Sequence, residues 1–424
     1  MTKGVPRRRL LSAGEGFLGA LGGGDFAARR TLEPVVPPAS LASLEMARVR
    51  AGWAHAAAVT RCGRLFVWGR PFDFATVMRL NRLHAMWPPL AALVNQTAAA
   101  LGARDDGGAE SAFRQGVVLR PTEVPLPDGE AAVDVACGAG LTSVLCASGA
   151  AYSFGLNGYA QCGGGHEGMH EIVPIRVLAP ARAAGGAPPR LTQLALGFQH
   201  GLALAEDGAV IAWGKFDRGQ LGGAQLTADP LPSMSGALDV PARVLALDAD
   251  AVAVGAGFNH GAAVTADGRA HVWGKMQGAE PQEDRARAGL DVYSDAKKPR
   301  ALELPDGLRA IGVACSSFQT ALATDDGGLW LMGREPLTRA TWPQPTPVKM
   351  PSAPGAALAP AEVAARLRPG IDAVSWLAPD GSALRLVLQA DGAVAVPLAR
   401  AEDGYAIEDV ALGWRFSIAL GDAE

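Results

Sequence analysis

One spacing recurs along this chain and constrains it more than any other feature. Counting from Gly52, His55 stands three residues on, Gly63 eleven, Trp68 sixteen and Gly69 seventeen. The same count from Gly197 meets His200, Gly208, Trp213 and Gly214, and from Gly257 it meets His260, Gly268, Trp273 and Gly274. Weaker copies follow Gly138 (Leu141, Gly149, Phe154, Gly155) and Ser316 (Gln319, Gly327, Met332, Gly333). From Gly381 only Gly392 fits, with Pro397 at the tryptophan position, and from Gly413 only Phe416 fits. Self-similarity at a fixed period marks a repeat architecture, in which each unit buries its apolar face against the next. Arg8 to Gly14 (RRLLSAG) supplies the ending that the last start lacks. Seven starts and seven ends therefore predict an all-β, seven-bladed propeller spanning residues 1–424, closed by its N-terminal strand so that no sheet edge is left unpaired at the seam.

Each copy reads as strand, tight turn, strand. Apolar residues alternate on both sides of Asp207-Gly208, and Asp267-Gly268, Asp326-Gly327 and Asp391-Gly392 repeat that pair. Asp-Gly between such runs predicts a two-residue hairpin turn. The leading glycine lets backbones crowd near the ring axis, and the tryptophan fills the space between blades.

These residues resemble the regulator-of-chromosome-condensation repeat, marked by a Gly-x-x-His strand, an Asp-Gly turn, Trp-Gly, and then Asn-x-x-Gly-Gln-Leu-Gly. The last element is similar to Lys215–Gly223 (KFDRGQLGG), Leu156–Gly164 (LNGYAQCGG) and Glu15–Gly23 (EGFLGALGG). The resemblance covers essentially the whole chain. It implies the propeller fold, and it offers four functions: nucleotide exchange on a small GTPase, ultraviolet-B reception, a mitochondrial role in ribosome or respiratory-complex biogenesis, and a general adaptor. The photoreceptor's Gly-Trp-Arg-His-Thr run is only echoed, by Gly52-Trp53-Ala54-His55-Ala56 and Gly413-Trp414-Arg415-Phe416-Ser417. Leu156 to Gly163 is similar to an Asn-x-Tyr-x-Gln-Cys-Gly stretch of the mitochondrial branch.

Three inserts break the spacing. Residues 70–115 carry Phe74, Val77, Met78, Leu83 and Trp87 at helical intervals before Pro88-Pro89, which predicts a helical insert. Residues 276–299 are polar and charged, and 334–369 are rich in Pro and Ala; both are expected as loop inserts.

Net charge is −4 with no Lys/Arg run longer than Arg7-Arg8-Arg9, so the chain lacks the electrostatics of sequence-independent nucleic-acid binding, and direct DNA contact is not expected. Five cysteines without a CxxC pair fit a reducing compartment. No run is long and apolar enough for a transmembrane helix. His166 to His170 matches HExxH, but Gly163, Gly164, Gly165 and Gly168 argue against the helix that a zinc site needs. Gly14 to Gly19 matches GxGxxG, yet Gly22-Gly23-Gly24 follow where a dinucleotide fold requires a helix. His55, His200 and His260 occupy one repeat position on three blades and are expected to bond backbone within their own blades rather than hold a metal. Neither a cofactor nor a catalytic constellation is expected.

The residue after each leading glycine reads Trp53, Ala139, Phe198, Phe258, Ser317, Ser382 and Trp414 around the ring. Equivalent positions point to one face. Trp53, Trp414, Phe198 and Phe258 there are candidates for partner binding, with inter-blade packing as the other reading. Trp87, Met78 and Leu83 of the helical insert are the second candidate surface. The sequence thus points to a non-enzymatic scaffold or accessory subunit that binds other proteins of a larger assembly. Its expected compartment is the mitochondrion, with cytoplasm or nucleus as alternatives. An exchange factor for a small GTPase is the runner-up.

Overall fold

The second strand of five repeats, the three strong copies and two of the weaker ones, is buried at every residue: His55–Thr60, Leu141–Cys146, His200–Ala205, His260–Thr265 and Gln319–Thr324. A strand can lose both faces to the interior only inside stacked sheets. The computed structural model builds that stack. It describes residues 9–35, 41, 44–70, 117–180, 186–224, 236–244, 247–275, 298–305, 307–351, 358–398 and 405–423. No helix among them is long and apolar enough to cross a membrane.

Seven antiparallel blades follow, each given from its inner to its outer strand. Blade one is Met46–Ala51, His55–Thr60, Leu65–Gly69 and Val118–Val124; blade two is Ala132–Cys137, Leu141–Cys146, Ala151–Leu156 and His170–Arg176. Blade three is Leu191–Leu196, His200–Ala205, Val210–Lys215 and Ala237–Arg243; blade four is Ala251–Ala256, His260–Thr265, Ala270–Gly274 and Arg300–Ala301. Blade five is Ala310–Cys315, Gln319–Thr324, Leu329–Arg334 and Thr341–Lys349; blade six is Leu367–Arg368, Ser375–Leu377, Ala383–Gln389 and Gly392–Pro397. Blade seven takes Tyr405–Leu412 and Phe416–Ala423 from the C-terminal part, then Arg9–Gly14 and Arg29–Pro34 from the N-terminal part. The expected closure is there, with Leu10 opposite Leu420 and Ser12 opposite Ile418. Blades five and six share one eight-stranded sheet, because Val348 and Lys349 pair in parallel with Ala393 and Val394.

The core lies between blades. Trp68 and Phe66 of blade one pack in one cluster with Phe154 of blade two and Phe416 and Ile418 of blade seven. Each repeat tryptophan also donates a hydrogen bond backwards. Trp68 Nε1 reaches the Ala20 carbonyl at 2.9 Å, Trp213 that of Gln161 at 2.8 Å, and Trp273 that of Gln220 at 2.9 Å. The acceptors sit in the glycine-rich loop of the preceding blade. A Cβ on Gly163 would lie 2.9 Å from the Trp213 ring, so these loops need glycine to receive the indole.

Several expectations are corrected. The turns at Asp207-Gly208, Asp267-Gly268 and Asp326-Gly327 hold three residues, not two: Ala205 N–H bonds the Ala209 carbonyl while Gly208 N–H bonds that of Ala205, and the other two repeat this. Only the glycine takes a positive φ, 75° at Gly208, as in a type I turn followed by a bulge. The sixth repeat starts eleven residues earlier than expected. Gly381 repeats the turn geometry, with Gly381 N–H on the Ala378 carbonyl and Ala378 N–H on that of Ser382. The leading glycine is therefore Gly370, and Ala373 and Leu386 hold the histidine and tryptophan positions. The described residues of 334–369 include the outer strand of blade five and a short helix, Pro360–Ala365, where loop was expected. Beyond Arg70, the helical insert proposed for 70–115 lies outside the described residues, as does 276–299 apart from its last two.

Candidate functional site

The site begins with the leading glycines. A Cβ on Gly52 would come within 2.5 Å of the Gly138 carbonyl oxygen, one on Gly138 within 2.5 Å of that of Gly197, and one on Gly197 within 2.4 Å of that of Gly257. Each blade thus presses its first turn onto the next. The following residue is handed from blade to blade by backbone: Phe198 N–H to Phe258 O, Phe258 N–H to Ser317 O, and Ser317 N–H to Ile371 O. This chain identifies Ile371, not Ser382, as the sixth member; Ser382 sits in the turn with its hydroxyl on Asp380.

Stepping the backbone around so tight a ring drives the side chains together at the axis. Trp53 stacks on Trp414 at 4.6 Å, and Phe198 on Phe258 at 4.0 Å. Trp53 also meets Phe198 and Phe258 edge-on, at 6.2 and 5.8 Å. Blades one and four stand three steps apart in a ring of seven, so Trp53 and Phe258 can touch only across the axis. With Ala139 and Ile371 the four aromatics form one cluster that closes this end of the channel. Trp53 is buried, whereas Phe198, Phe258 and Trp414 stay partly exposed. Phe318, which the repeat count passed over, extends the row at 5.7 Å from Phe258. The cluster packs blades together and leaves Phe198, Phe258 and Trp414 partly exposed. Trp87, Met78 and Leu83 lie outside the described residues.

The third strand of each blade ends on this same face. Gly69 pairs with His55, Arg70 N–H bonds the Ala54 carbonyl, and Val118 pairs with Gly69. Arg70 and Val118, described residues on either side of this insert, therefore stand on the face of the aromatic cluster. Lys275 N–H on the Asn259 carbonyl fixes the departure of 276–299 on the same side.

The inner strands carry a second constellation, missed by the motif count. Asp409 of blade seven accepts from Arg368 Nε of blade six at 2.5 Å, and from Arg50 Nη1 and the Val49 N–H of blade one at 3.2 and 3.0 Å. Arg50 also pairs with Asp134 of blade two at 3.2 Å. Burial would raise the Asp409 carboxyl, but the two guanidiniums and the backbone N–H outweigh it and hold it below its ordinary value. Asp134 and Asp409 stand at one repeat position, and Gln193 at that position in blade three bonds Val254 of blade four through both amide atoms. The channel below the aromatic cluster holds a cavity of about 260 Å³, lined among others by Arg50, Asp134, Ala253 and Ile371.

The three repeat histidines do not converge on a metal. Their side-chain bonds cross to the next blade rather than staying in their own, which corrects the sequence reading: His55 Nε2 lies 3.1 Å from Thr142 Oγ1 and His260 Nε2 3.1 Å from Thr320 Oγ1. His200 faces Gly261 instead of a threonine, because the Trp273 ring fills the space where a side chain would stand. Its ring nitrogens find no side-chain partner among the described residues. Burial depresses all three, His55 and His260 to about 4 and His200 to about 3, so they are neutral imidazoles. In the HExxH match, His166 is exposed on Glu171 Oε1 at 2.9 Å and His170 opens a strand, so the two are not on one helical face. The GxGxxG match ends in a single 3₁₀ turn, Phe17–Gly19, with Gly22 against the Trp68 ring.

Fold and site define a closed seven-bladed propeller whose repeat residues are spent on joining blades and whose axis is stoppered by aromatics. Residues 191–220 and 251–277 match the Regulator of chromosome condensation (RCC1) repeat. The chain thus carries regulator-of-chromosome-condensation repeats in blades three and four. It is 30% identical over 216 residues to the Arabidopsis thaliana ultraviolet-B receptor UVR8, covering 50% of this chain and 44% of the receptor. It is 28% identical over 224 residues to the RCC1 domain-containing protein RUG3, mitochondrial, of the same plant, covering 53% and 40%. The matches thus span less than half the length of these curated relatives. Among solved structures, human WBSCR16 superposes with a TM-score of 0.67 at 17% identity, covering 98% of this chain and 99% of that one. Prp20p of Saccharomyces cerevisiae, whose structure is described with its binding to Gsp1p and histones, gives 0.67 at 19%, covering 99% and 92%.

Proposed function

We propose that this propeller is a non-enzymatic scaffold, an accessory subunit that docks other proteins of a larger assembly on its aromatic face. The observation that carries the reading is the partly exposed row of Phe198, Phe258, Phe318 and Trp414 around a sealed axis. Aromatic side chains near the centre of a contact often dominate its energy, at about 2 kcal/mol or more each. The insert at 70–115, with Trp87, Met78 and Leu83, is flanked by residues on the face of this row and is the proposed second element of the contact. Mitochondrial residence is the favoured compartment, supported by the likeness to RUG3. The runner-up is nucleotide exchange on a small GTPase, supported by the family resemblance.

Affinity purification of the parent, a Phe198→Ala/Trp414→Ala variant and a variant lacking residues 74–101, each followed by mass spectrometry, tests the reading. Both variants are expected to stay folded by circular dichroism and to lose the parent's partners. Retention of the full partner set by both refutes the docking assignment. Acceleration of nucleotide release from any member of a small-GTPase panel moves the conclusion to the exchange factor.

A further inference from the structure

We propose that the central channel is a binding pocket for a compact, uncharged aromatic molecule that carries one hydrogen-bond donor. The pocket shares Phe198 and Phe258 with the proposed docking row, but it rests on the cavity and not on that reading. Trp53, Phe198, Phe258 and Ile371 of the aromatic cluster line the cavity as its floor. Aromatic floors favour edge-on or offset contact with another ring.

The wall is two-sided. On blades three, four and five the small residues Ala195, Ala253, Gly255, Gly312 and Ala314 share the lining with Gln193, Val254 and Ile311. Opposite them Arg50 of blade one and Asp134 of blade two line the cavity, and behind these Asp409 and Arg368 complete the ion-pair line. A volume of about 260 Å³ falls just below the range of drug-sized sites, roughly 300–1,000 Å³, so the space suits one small ring system. The two guanidiniums and two carboxylates already pair with one another. A ligand with net charge would lose its water here and find no counter-ion, which is costly in a buried setting. An uncharged ligand avoids that cost. One acceptor remains. Asp409 is 2% exposed and both arginines 14%, but Asp134 is 40% exposed and lines the cavity. Its Oδ1 takes Arg50 and the Val135 N–H, and a carboxylate has further lone pairs to offer an incoming N–H or O–H.

Indole is the probe, titrated into the full-length chain by isothermal calorimetry. It should saturate one site with Kd on the order of millimolar, as expected for so few atoms. Benzofuran, which has the same shape but no donor, should bind at least about fivefold more weakly, and benzoate and benzylamine about tenfold more weakly. Ala253→Leu should fill the cavity and abolish indole binding, and Ala195→Leu is the second filling variant should the first fail to fold. Absence of saturable indole binding up to about 10 mM overturns the pocket. Binding that survives in a folded filling variant overturns its location. Equal binding of benzofuran overturns the role of Asp134, and tighter binding of either charged compound overturns the charge argument.

Discussion

Replacing Asp409 with Ala tests how the ring is held at its closing blade. Asp409 is 2% exposed and joins blades six, seven and one through Arg368, Arg50 and the Val49 N–H. Removing one partner of a buried ion pair costs about 3–5 kcal/mol, because the partner charge is left without compensation. Arg50 and Arg368 each keep 14% exposure, so water can partly solvate them, and the lower end applies, about 3 kcal/mol. Unfolding entropy near 2.1 cal/mol/K per residue, over 424 residues, gives roughly 0.9 kcal/mol/K and a fall in Tm of about 3 °C. Asp409→Asn keeps the shape and loses the charge, and it adds a pH signature. The folded carboxyl lies below its ordinary value. Its contribution is therefore complete above the unfolded pKa of about 3.9 and is lost as pH falls below it. The Tm gap between parent and Asp409→Asn, followed by circular dichroism, should be full at neutral pH and shrink below about pH 4. The histidines titrate alike in both proteins and cancel in that difference. A variant that melts within about 1 °C of the parent at neutral pH, or a gap undiminished in acid, refutes the reasoning.

His55, His200 and His260 are depressed by burial to about 4, 3 and 4, so the fold is favoured above the unfolded value of about 6.5 and loses stability as pH falls from there toward the folded values. The slope should be on the order of 1.4 kcal/mol per pH unit for each histidine, and His260→Gln should lower it by about a third in urea titrations between about pH 6 and 5; an unchanged slope would count against burial as the cause. Deleting residues 9–14 strips the ladder from Phe416–Gly421 and should cost several kcal/mol, at about 1 kcal/mol for each hydrogen bond lost. A truncated chain with the parent's melting curve would rule out closure by that strand.

The sequence carries the fold most clearly where chemistry repeats. Trp68, Trp213 and Trp273 stand at one count because each must reach the same loop carbonyl, so spacing alone finds them. The sixth blade escapes because Ala373 and Leu386 serve its packing without a polar bond, and nothing then distinguishes Gly370 from Gly381. Gly381 looks like a start because turns and axial contacts both demand glycine. The histidines were found, but their partners, Thr142 and Thr320, lie one blade on, and a single copy of the repeat cannot show which blade receives a bond. Trp53, Trp414, Phe198 and Phe258 come together as their shared position implies. Asp409 and Arg50 are separated by most of the chain, and only the recurrence of Asp134, Gln193 and Asp409 at one repeat position could have hinted at their link.

The closing blade also sets how the ring would respond to tension. In the antiparallel pairing of Arg9–Gly14 with Phe416–Gly421, Arg9 lies opposite Gly421, so chain entering before the one and leaving after the other exits side by side. A pull that parts these two exits loads the ladder one pair at a time, from Arg9–Gly421 toward Gly14–Phe416, as a zip and not in shear. Beyond Gly14–Phe416 lies Trp414, stacked on Trp53. A ring anchored through both ends would therefore part at low force, and the rupture would run toward its own aromatic stopper.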